Sequence, residues 1–308
     1  MENNKESNFV SAVVYCYNDA EYINDFIGSL DKTLATNFLK YEIVVVNDCS
    51  TDDSMQTVKQ YATHKEGLVI SLLNMSYHQG IETSMNAGVN LTIGDFVFEF
   101  DSVYVDYDWK VLMDIYFHSL EGFDIVSARV NKGPRVISRM FYALFNRYAK
   151  LQYKVGMETF RVLSRRAINR IHSITQTIPF RKAAYANCGL AIDVIEYIPV
   201  RAVMRKHYDD RMGLAVDSLI LFTNVAYCIT FTLAIIMMLI TIGVAIYALI
   251  YKLMENPVEG WTTTILFLAF GFFGLFTILA MVIKYLQMIV KLHFSKKEYL
   301  FESINKLQ

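Results

Sequence analysis

The segment that decides the fold is Glu42-Ile-Val-Val-Val-Asn-Asp-Cys-Ser-Thr-Asp52. Four consecutive β-branched residues follow the first glutamate, and polar residues come directly after them. β-Branched residues favour strands, and a run that is apolar at every position is typical of a strand buried on both faces. The segment therefore predicts a central strand of a parallel sheet with helices on both sides.

Comparable apolar runs alternate with helical patterns from residue 10 to about residue 120. The predicted strands are Ser11–Tyr15, Glu42–Asn47, Leu68–Leu73 and Phe96–Phe100, and the predicted helices are Glu21–Leu34, Asp52–Thr63 and Ile81–Leu91. This alternation predicts an α/β domain with a doubly wound, mostly parallel, Rossmann-like sheet. Such a sheet binds its ligands at the carboxyl ends of the strands.

The last third of the chain is more apolar than the rest. Residues 218–251 and 260–283 contain no Asp, Glu, Lys or Arg. A membrane-spanning helix needs roughly 20 mostly apolar residues. We therefore predict two transmembrane helices, at about 225–251 and 262–283. The alternative is a helical hairpin that is buried inside a soluble protein.

Charged residues near the predicted spans indicate their orientation. The connector carries Lys252 together with Glu255 and Glu259, whereas the second span is followed by Lys284, Lys291, Lys296 and Lys297. Cations concentrate on the cytoplasmic side of a membrane protein, and the N-terminus lacks the apolar core of a secretory signal. These features predict a multi-pass protein of the inner (plasma) membrane whose first domain is cytoplasmic.

The patterns divide the chain into four predicted parts. Residues 1–195 form a cytoplasmic α/β domain, 196–222 juxtamembrane amphipathic helices, 223–290 a transmembrane hairpin and 291–308 a cytoplasmic tail. In the second part, cations such as Arg201 and Arg205 precede apolar residues such as Leu219 and Phe222. This order is typical of a helix that lies on a membrane surface. An ordinary solvated linker helix is the alternative.

The overall composition argues against two classes of function. The formal net charge is −1, which is not expected of a nucleic-acid-binding surface. The cysteines are widely separated, at Cys16, Cys49, Cys188 and Cys228. Their spacing predicts neither a zinc site nor a disulfide framework.

Polar residues follow three of the predicted strands. Tyr17-Asn18-Asp19 follows the first strand, Asp48 follows the second, and Asp101 ends the fourth. We expect these side chains at the ligand-binding edge of the sheet. Asp48 could accept hydrogen bonds from a base or a ribose. Residues 50–52 could bind a ligand or equally cap the next helix.

These segments, in this order, resemble the family 2 glycosyltransferases of the GT-A fold, and in particular the branch that acts on polyprenyl phosphates. That branch includes dolichyl-phosphate mannose synthases and bactoprenol glucosyltransferases. The matching segments are Tyr17-Asn18-Asp19, Asp48-Cys-Ser50-Thr-Asp52, Ala87-Gly88 through Gly94-Asp95, Asp101 with Asp106, Phe160-Arg161-Val-Leu-Ser-Arg165-Arg166, and Gly260-Trp261-Thr262. Together they cover nearly the whole chain.

The resemblance implies an inverting hexosyltransferase that moves a sugar from a UDP- or GDP-sugar to a polyprenyl phosphate at the cytoplasmic membrane face. It assigns the nucleotide sugar to Tyr17, Asn18, Asp19, Asp48 and Asp101, a Mg²⁺ or Mn²⁺ ion to Asp101 and Asp106, and the acceptor phosphate to Arg129, Arg161 and Arg165. Asp101 and Arg161 are the predicted catalytic residues. The lipid and the membrane are the predicted partners, a homo-oligomer is left open, and nucleic acid is not expected.

The lack of an obvious general base fits this acceptor. A phosphomonoester has its second pKa near about 6, so it is mostly an anion at neutral pH and can attack without losing a proton to the protein. The protein must then supply positioning and positive charge. The cations available for this are Arg129, Lys132, Arg139, Arg161, Arg165 and Arg166.

Four positions depart from the family pattern. Val103 replaces the second carboxylate of the Asp-x-Asp motif, and Thr159 replaces an acidic residue, although Glu158 is adjacent. Tyr15 stands where a proline is usual, and His78 stands where an asparagine is usual. These changes motivate an alternative, a catalytically impaired membrane scaffold that keeps the fold. Transfer to another lipid acceptor is a further alternative.

Overall fold

The computed structural model describes residues 5–65, 67–131, 136–148, 151–174, 180–200 and 301–307, together with separate helical positions between 232 and 289. The chain forms two compact units. The first contains residues 1–147, 151–215 and 297–308, and the second contains residues 148–150 and 216–296.

The described residues of the first unit form alternating strands and helices. In chain order they are β1 Glu6–Cys16, α1 Ala20–Asn37, β2 Phe38–Asn47, α2 Ser54–Thr63, β3 Ile70–Met75, α3 Ile81–Leu91, β4 Phe96–Phe100, α4 Lys110–Leu120, β5 Ile125–Val130, α5 Val136–Tyr148, β6 Glu158–Ser164, α6 Arg165–Ile174, α7 Arg181–Ala186, β7 Ile192–Tyr197 and β8 Phe301–Leu307. The predicted bounds of α3 and β4 are confirmed to the residue. β1 begins at Glu6, earlier than the predicted Ser11. The prediction missed this start because the first residues, Glu6, Ser7 and Asn8, are polar and carry no apolar signal.

The strands form one mixed sheet in the order β7-β5-β6-β4-β1-β2-β3-β8. β1 pairs in parallel with β2 and β4, and β2 pairs in parallel with β3. This part confirms the predicted parallel α/β sheet. β6 is antiparallel to both β4 and β5, and β8 is antiparallel to β3. The sheet as a whole is therefore mixed.

Helices cover both faces of the sheet, as the apolar strands require. Helices α1, α2 and α4 pack on one face, with the buried side chains Phe26, Leu30, Val58, Leu112 and Ile115. Helices α3, α6 and α7 pack on the other face, with Met85, Val89, Ile168 and Tyr185. β4 faces both layers, since Phe98 and Phe100 belong to the first layer and Val97 to the second.

The end of the chain joins this sheet as an edge strand. β8 pairs with β3 from Ile70↔Leu307 to Met75↔Phe301. The segment falls within the predicted tail, 291–308, and its sequence lacks the alternation that would have predicted a strand.

Most of the predicted membrane region lies outside the described residues, including most of 225–251, more than half of 262–283 and the whole surface segment from 201 to 222. The positions described in the second unit are helical. Among the residues that can be described, no helix has both the length and the apolar character needed to cross a bilayer.

Glycines allow α3 and the turn after it to approach β1 and β2 closely. A Cβ atom on Gly88 would lie 2.5 Å from both Val13 Cγ1 and Val46 Cγ2. A Cβ atom on Gly94 would lie 2.7 Å from the backbone nitrogen of Ser11. These contacts explain why glycine occupies both positions of the Gly88–Gly94 motif.

We expect Gly88→Ala to lower the free energy of unfolding by about 1–3 kcal/mol, because the added methyl group overpacks the sheet. Gly28→Ala on α1 is the matched control. Its Cβ would make an ordinary 3.7 Å contact with Tyr61, so the better helix propensity of alanine should raise stability by up to about 1 kcal/mol. Denaturation curves of the purified variants and the wild type measure both changes in the free energy of unfolding. Equal effects of the two substitutions would contradict the packing argument.

Candidate functional site

The loops that follow β1 and β2 are hydrogen-bonded to each other at the carboxyl edge of the sheet. Asn18 has a left-handed backbone, with φ 53°. Its side-chain oxygen accepts hydrogen bonds from the backbone nitrogen of Thr51 at 2.8 Å and from its hydroxyl at 3.2 Å. The backbone nitrogen of Asn18 donates to Ser50 Oγ at 3.1 Å. Asn18 therefore holds the two predicted nucleotide-binding loops together.

Asp19 and Asp52 add further bonds between these loops. The backbone nitrogen of Asp19 donates to Ser54 Oγ at 3.0 Å. The buried carboxylate of Asp19 also accepts a hydrogen bond at 2.9 Å from the hydroxyl of Tyr104, which follows β4. Asp52 accepts from the backbone nitrogens of Ala20 and Ser54, both at 3.0 Å. Ala20 and Ser54 are the first residues of α1 and α2. Asp52 thus bonds the first backbone nitrogen of each of these helices, in line with the capping alternative, and its predicted ligand-binding role stays a prediction.

The carboxylate of Asp48 is buried and organises the loop before α3. Its oxygens accept hydrogen bonds from the backbone nitrogens of Gln79 at 2.8 Å and Gly80 at 2.9 Å, and from the Tyr15 hydroxyl at 2.9 Å. His78 Nδ1 lies 3.0 Å from Asp48 Oδ2. The geometry gives Asp48 a loop-holding role, and its predicted contact with a nucleoside stays a prediction.

A stacked pair of rings lies beside this loop. The Tyr17 and His78 rings have centroids 4.2 Å apart and an interplanar angle of 25°. Both side chains are partly exposed. A planar surface at the carboxyl edge suits the flat face of a nucleobase.

Asp101, at the end of β4, is bound by two arginines. Its Oδ2 accepts a hydrogen bond from Arg161 at 2.8 Å, and its Oδ1 accepts one from Arg181 at 2.7 Å. Both arginine side chains are only 1% exposed, and that of Asp101 is 18% exposed. Burial alone would raise the pKa of Asp101, but the positive charges of Arg161 and Arg181 outweigh it and hold the pKa well below its usual range.

Two more carboxylates complete this group, which we call the arginine cluster: Glu82, Glu99, Asp101, Arg161 and Arg181. Glu99 Oε2 lies 2.8 Å from Arg161 and 3.1 Å from Arg181. Glu82 accepts hydrogen bonds from both the backbone nitrogen and Nε of Arg181, at 2.8 and 3.0 Å. The Tyr185 hydroxyl donates to Glu99 at 2.6 Å. The cluster therefore joins α3, β4, β6 and α7.

The predicted metal site does not fit these residues. Both oxygens of Asp101 already accept hydrogen bonds from guanidinium groups. Val103, at the usual position of the second carboxylate, is 2% exposed and belongs to the core. Asp106 accepts a hydrogen bond from the Tyr197 hydroxyl at 2.7 Å. Within the described residues, no group of three or more His, Cys, Asp or Glu side chains could hold a metal ion.

A cleft of about 360 Å³, measured to its open mouth, lies beside the cluster. Its lining includes Arg161, Lys182 and Lys154 together with the apolar residues Val155, Ile192 and Val194. Lys182 Nζ lies 2.9 Å from Glu158. Burial opposes the charge on Lys182, but Glu158 outweighs it and raises the pKa of the ammonium above its usual value. The cleft thus combines cations with apolar walls.

Of the three predicted phosphate-binding arginines, two lie near this cleft. Arg161 lines it. Arg129 packs against Gly156 and lies 3.5 Å from Glu158, which also lines it. Arg139 is exposed on α5, and Lys132 lies outside the described residues.

The structure does not bring Arg165 together with the other predicted phosphate-binding arginines. β6 runs antiparallel to β4, with Phe160 opposite Phe100 and Ser164 opposite Phe96. Arg165 follows Ser164 and therefore lies at the amino end of β4, at the edge away from Asp101. Its guanidinium donates to the carbonyl oxygen of Gly94, from Nε at 2.9 Å. Arg165 thus holds the turn before β4.

Three of the residues that depart from the family pattern make polar contacts, and the fourth, Val103, lies in the core. Tyr15 and His78 both contact Asp48. The Thr159 hydroxyl lies 2.7 Å from the Tyr197 hydroxyl, which in turn donates to Asp106. Tyr15, His78 and Thr159 therefore each make a polar contact in the structure.

Sequence reasoning missed several members of the site. Glu99 interrupts the apolar run Phe96-Val-Phe-Glu-Phe100, and a carboxylate in a buried strand requires a cation as partner. Arg161 interrupts β6 in the same way and lies directly opposite Glu99. This signal could have revealed the pair. Arg181 and Lys182 lie on a short helix whose sequence carries no such pattern.

We expect Arg181→Met to lower the free energy of unfolding by about 3–5 kcal/mol, because it removes the arginine side chain bound to Glu82 and one of the two guanidinium groups that neutralise Glu99 and Asp101. Arg139→Met, which removes an exposed arginine on α5, is the control and should change stability by less than about 0.5 kcal/mol. Denaturation curves of the two variants and the wild type give the comparison. A stable Arg181→Met variant would show that the arginine cluster is dispensable for folding.

Comparison with known proteins agrees with this geometry. The family model described as "Glycosyl transferase family 2" matches residues 11–172, which is more than half of the chain. CsbB of Bacillus subtilis (strain 168), described as a glycosyltransferase, is 24% identical over 266 residues, covering 83% of this chain and 80% of that protein. The bactoprenol glucosyl transferase of Shigella phage SfV is 25% identical over 204 residues, covering 63% of this chain and 64% of that protein.

Among solved structures, the mannosyltransferase PcManGT from Pyrobaculum calidifontis, in complex with GDP-Man and Mn²⁺, has a similar fold. The TM-score is 0.53 at 16% sequence identity, covering 95% of this chain and 89% of that chain. At this identity the similarity supports the GT-A fold and nothing finer. The resemblance found in the sequence is confirmed, and the chain belongs to glycosyl transferase family 2.

Proposed function

We propose that this chain transfers a hexosyl group, with inversion, from a UDP- or GDP-sugar to a polyprenyl phosphate at the cytoplasmic face of the membrane. The observation that carries the proposal is the position of Arg161. This arginine contacts Asp101 at the end of β4 and also lines the cationic cleft. A donor bound at the strand ends and an acceptor bound in the cleft would therefore both lie beside Arg161.

The loops after β1, β2 and β3 are the proposed donor site. Tyr17 and His78 offer the base a planar surface. Asn18, Asp19 and Asp48 keep the surrounding backbone in place through the hydrogen bonds described above. The GDP-Man bound to PcManGT supports a nucleotide sugar as donor, and the name of the bactoprenol glucosyl transferase relative supports a polyprenyl phosphate as acceptor.

The cleft beside β6 is the proposed acceptor site. Lys154 is exposed there, and Lys182 and Arg161 also line the cleft, each paired with buried carboxylates. The apolar side chains Val155 and Ile192 suit the first part of a prenyl chain.

The proposed reaction is a single displacement. An oxygen of the acceptor phosphate attacks the anomeric carbon, the bond from that carbon to the diphosphate breaks, and the nucleoside diphosphate leaves. Because the phosphate is already an anion, no general base is needed. The chain contributes orientation and fixed positive charge. A metal ion at Asp101 and Asp106 has no part in this scheme, because those carboxylates are engaged elsewhere.

Attachment to the membrane through the second unit is part of the proposal. Leu239, Leu275 and Ile289 are helical and more than half exposed, which suits contact with lipid. β8 follows the apolar region, and it pairs with β3, which precedes that region. This pairing supports an even number of membrane crossings, as in a two-helix hairpin with the first unit in the cytoplasm.

A transfer assay tests the proposal. Membranes containing the full chain are incubated with polyprenyl phosphate and a panel of radiolabelled UDP- and GDP-sugars. We expect one donor to label the lipid, and the product to be labile in mild acid, as a polyprenyl-phosphate sugar should be. No transfer from any donor would favour the scaffold alternative, and an acid-stable product would favour another lipid acceptor.

With the active donor, we expect Lys154→Met to raise the KM for polyprenyl phosphate about tenfold, the loss of roughly 1.4 kcal/mol of binding. The KM for the donor should not change, because Lys154 lies on the acceptor side. Lys59→Met, on the surface of α2, is the matched control and should leave both constants unchanged. An increase confined to the donor KM would contradict the assignment of the cleft.

A further inference from the structure

The arginine cluster occupies the position at which a divalent cation is expected. We propose that Arg161 and Arg181 neutralise Asp101 in place of a metal ion, so that this chain does not bind Mg²⁺ or Mn²⁺ at the end of β4. Binding of the donor then needs no divalent cation. The statement about donor binding rests on the proposed function, whereas the statement about the metal ion does not.

The ligand chemistry of Asp101 supports this inference. Mg²⁺ and Mn²⁺ bind carboxylate oxygens whose negative charge offsets that of the ion. Each oxygen of Asp101 instead accepts a hydrogen bond from a guanidinium group, at 2.7 and 2.8 Å. A cation at bonding distance from either oxygen would lie within a few ångströms of two positive charges, and this repulsion is little screened at a buried site.

The arginines are also held so that they cannot easily move aside. Both are 1% exposed. Arg161 is bonded to Glu99, and Arg181 is bonded to Glu82 through its side chain and its backbone nitrogen. Withdrawal of either arginine would remove part of the positive charge that neutralises these buried carboxylates, which is unfavourable.

Among the described residues around Asp101, the carboxylates that could serve as a second metal ligand already have hydrogen-bond or ion-pair partners. Val103 is apolar and buried. Asp106 accepts a hydrogen bond from Tyr197, and β4 itself contributes only Glu99, which is bonded to Arg161, Arg181 and Tyr185. A cation would have to rely on Asp101 together with water.

Titration of the purified full-length chain with Mn²⁺ alone, followed by the EPR signal of the unbound ion, tests the inference. We expect no bound Mn²⁺ with a Kd below about 1 mM, and the same titration curve for Asp101→Asn as for the wild type. Uptake of one Mn²⁺ per chain, with a Kd at least tenfold tighter than that of Asp101→Asn, would overturn it.

Calorimetric titration with UDP and GDP, in EDTA and in Mn²⁺, separates this inference from the proposed function. We expect the Kd of the preferred nucleotide to differ less than about threefold between the two conditions. Mn²⁺ that tightens binding tenfold or more in the wild type, but not in Asp101→Asn, would overturn the inference. Failure of either nucleotide to bind in both conditions would instead count against the proposed function, while the EPR titration still decides the metal question.

Discussion

Two arginine side chains with almost no exposure, Arg161 and Arg181, bind carboxylates from two different elements, α3 and β4. Buried charges of this kind are unfavourable unless each one is paired and hydrogen-bonded. The pairing therefore constrains the relative positions of the elements that carry the charges. It joins the parallel part of the sheet, which ends in the proposed donor loops, to the antiparallel part, which carries the proposed acceptor cleft. The geometry between donor and acceptor depends on this constraint.

The same constraint changes the role of the carboxylate at the end of β4. In the scheme expected from the family pattern, Asp101 would hold a metal ion and the ion would hold the diphosphate. In this chain Asp101 is bound by guanidinium groups, and the neighbouring position is the buried Val103. Asp48 is likewise engaged, by Tyr15 and His78. Departures from the family pattern that look like losses in the sequence thus form contacts of their own.

The sequence predicted the parallel half of the fold well, because apolar periodicity is strongest where strands are buried on both faces. It predicted the site less well, because a carboxylate at a strand end looks the same whether it binds a ligand, caps a helix or holds a loop. The separation of Arg165 from Asp101 was not foreseen, because the antiparallel direction of β6 cannot be read from a short motif. Arg181 was missed because α7 is short and its partners are distant in sequence. Glu99 was detectable, since a charge within an apolar strand demands a partner.

The most direct test of the central claim is a double-mutant cycle between Glu99 and Arg161, with each residue replaced by methionine singly and together. If the cluster is a cooperative buried unit, each single change should cost about 3–5 kcal/mol of stability. The double change should then cost less than the sum, with a coupling of at least about 1.5 kcal/mol. If the two changes in stability add to within about 0.5 kcal/mol, the two residues contribute to stability independently, and the account is contradicted.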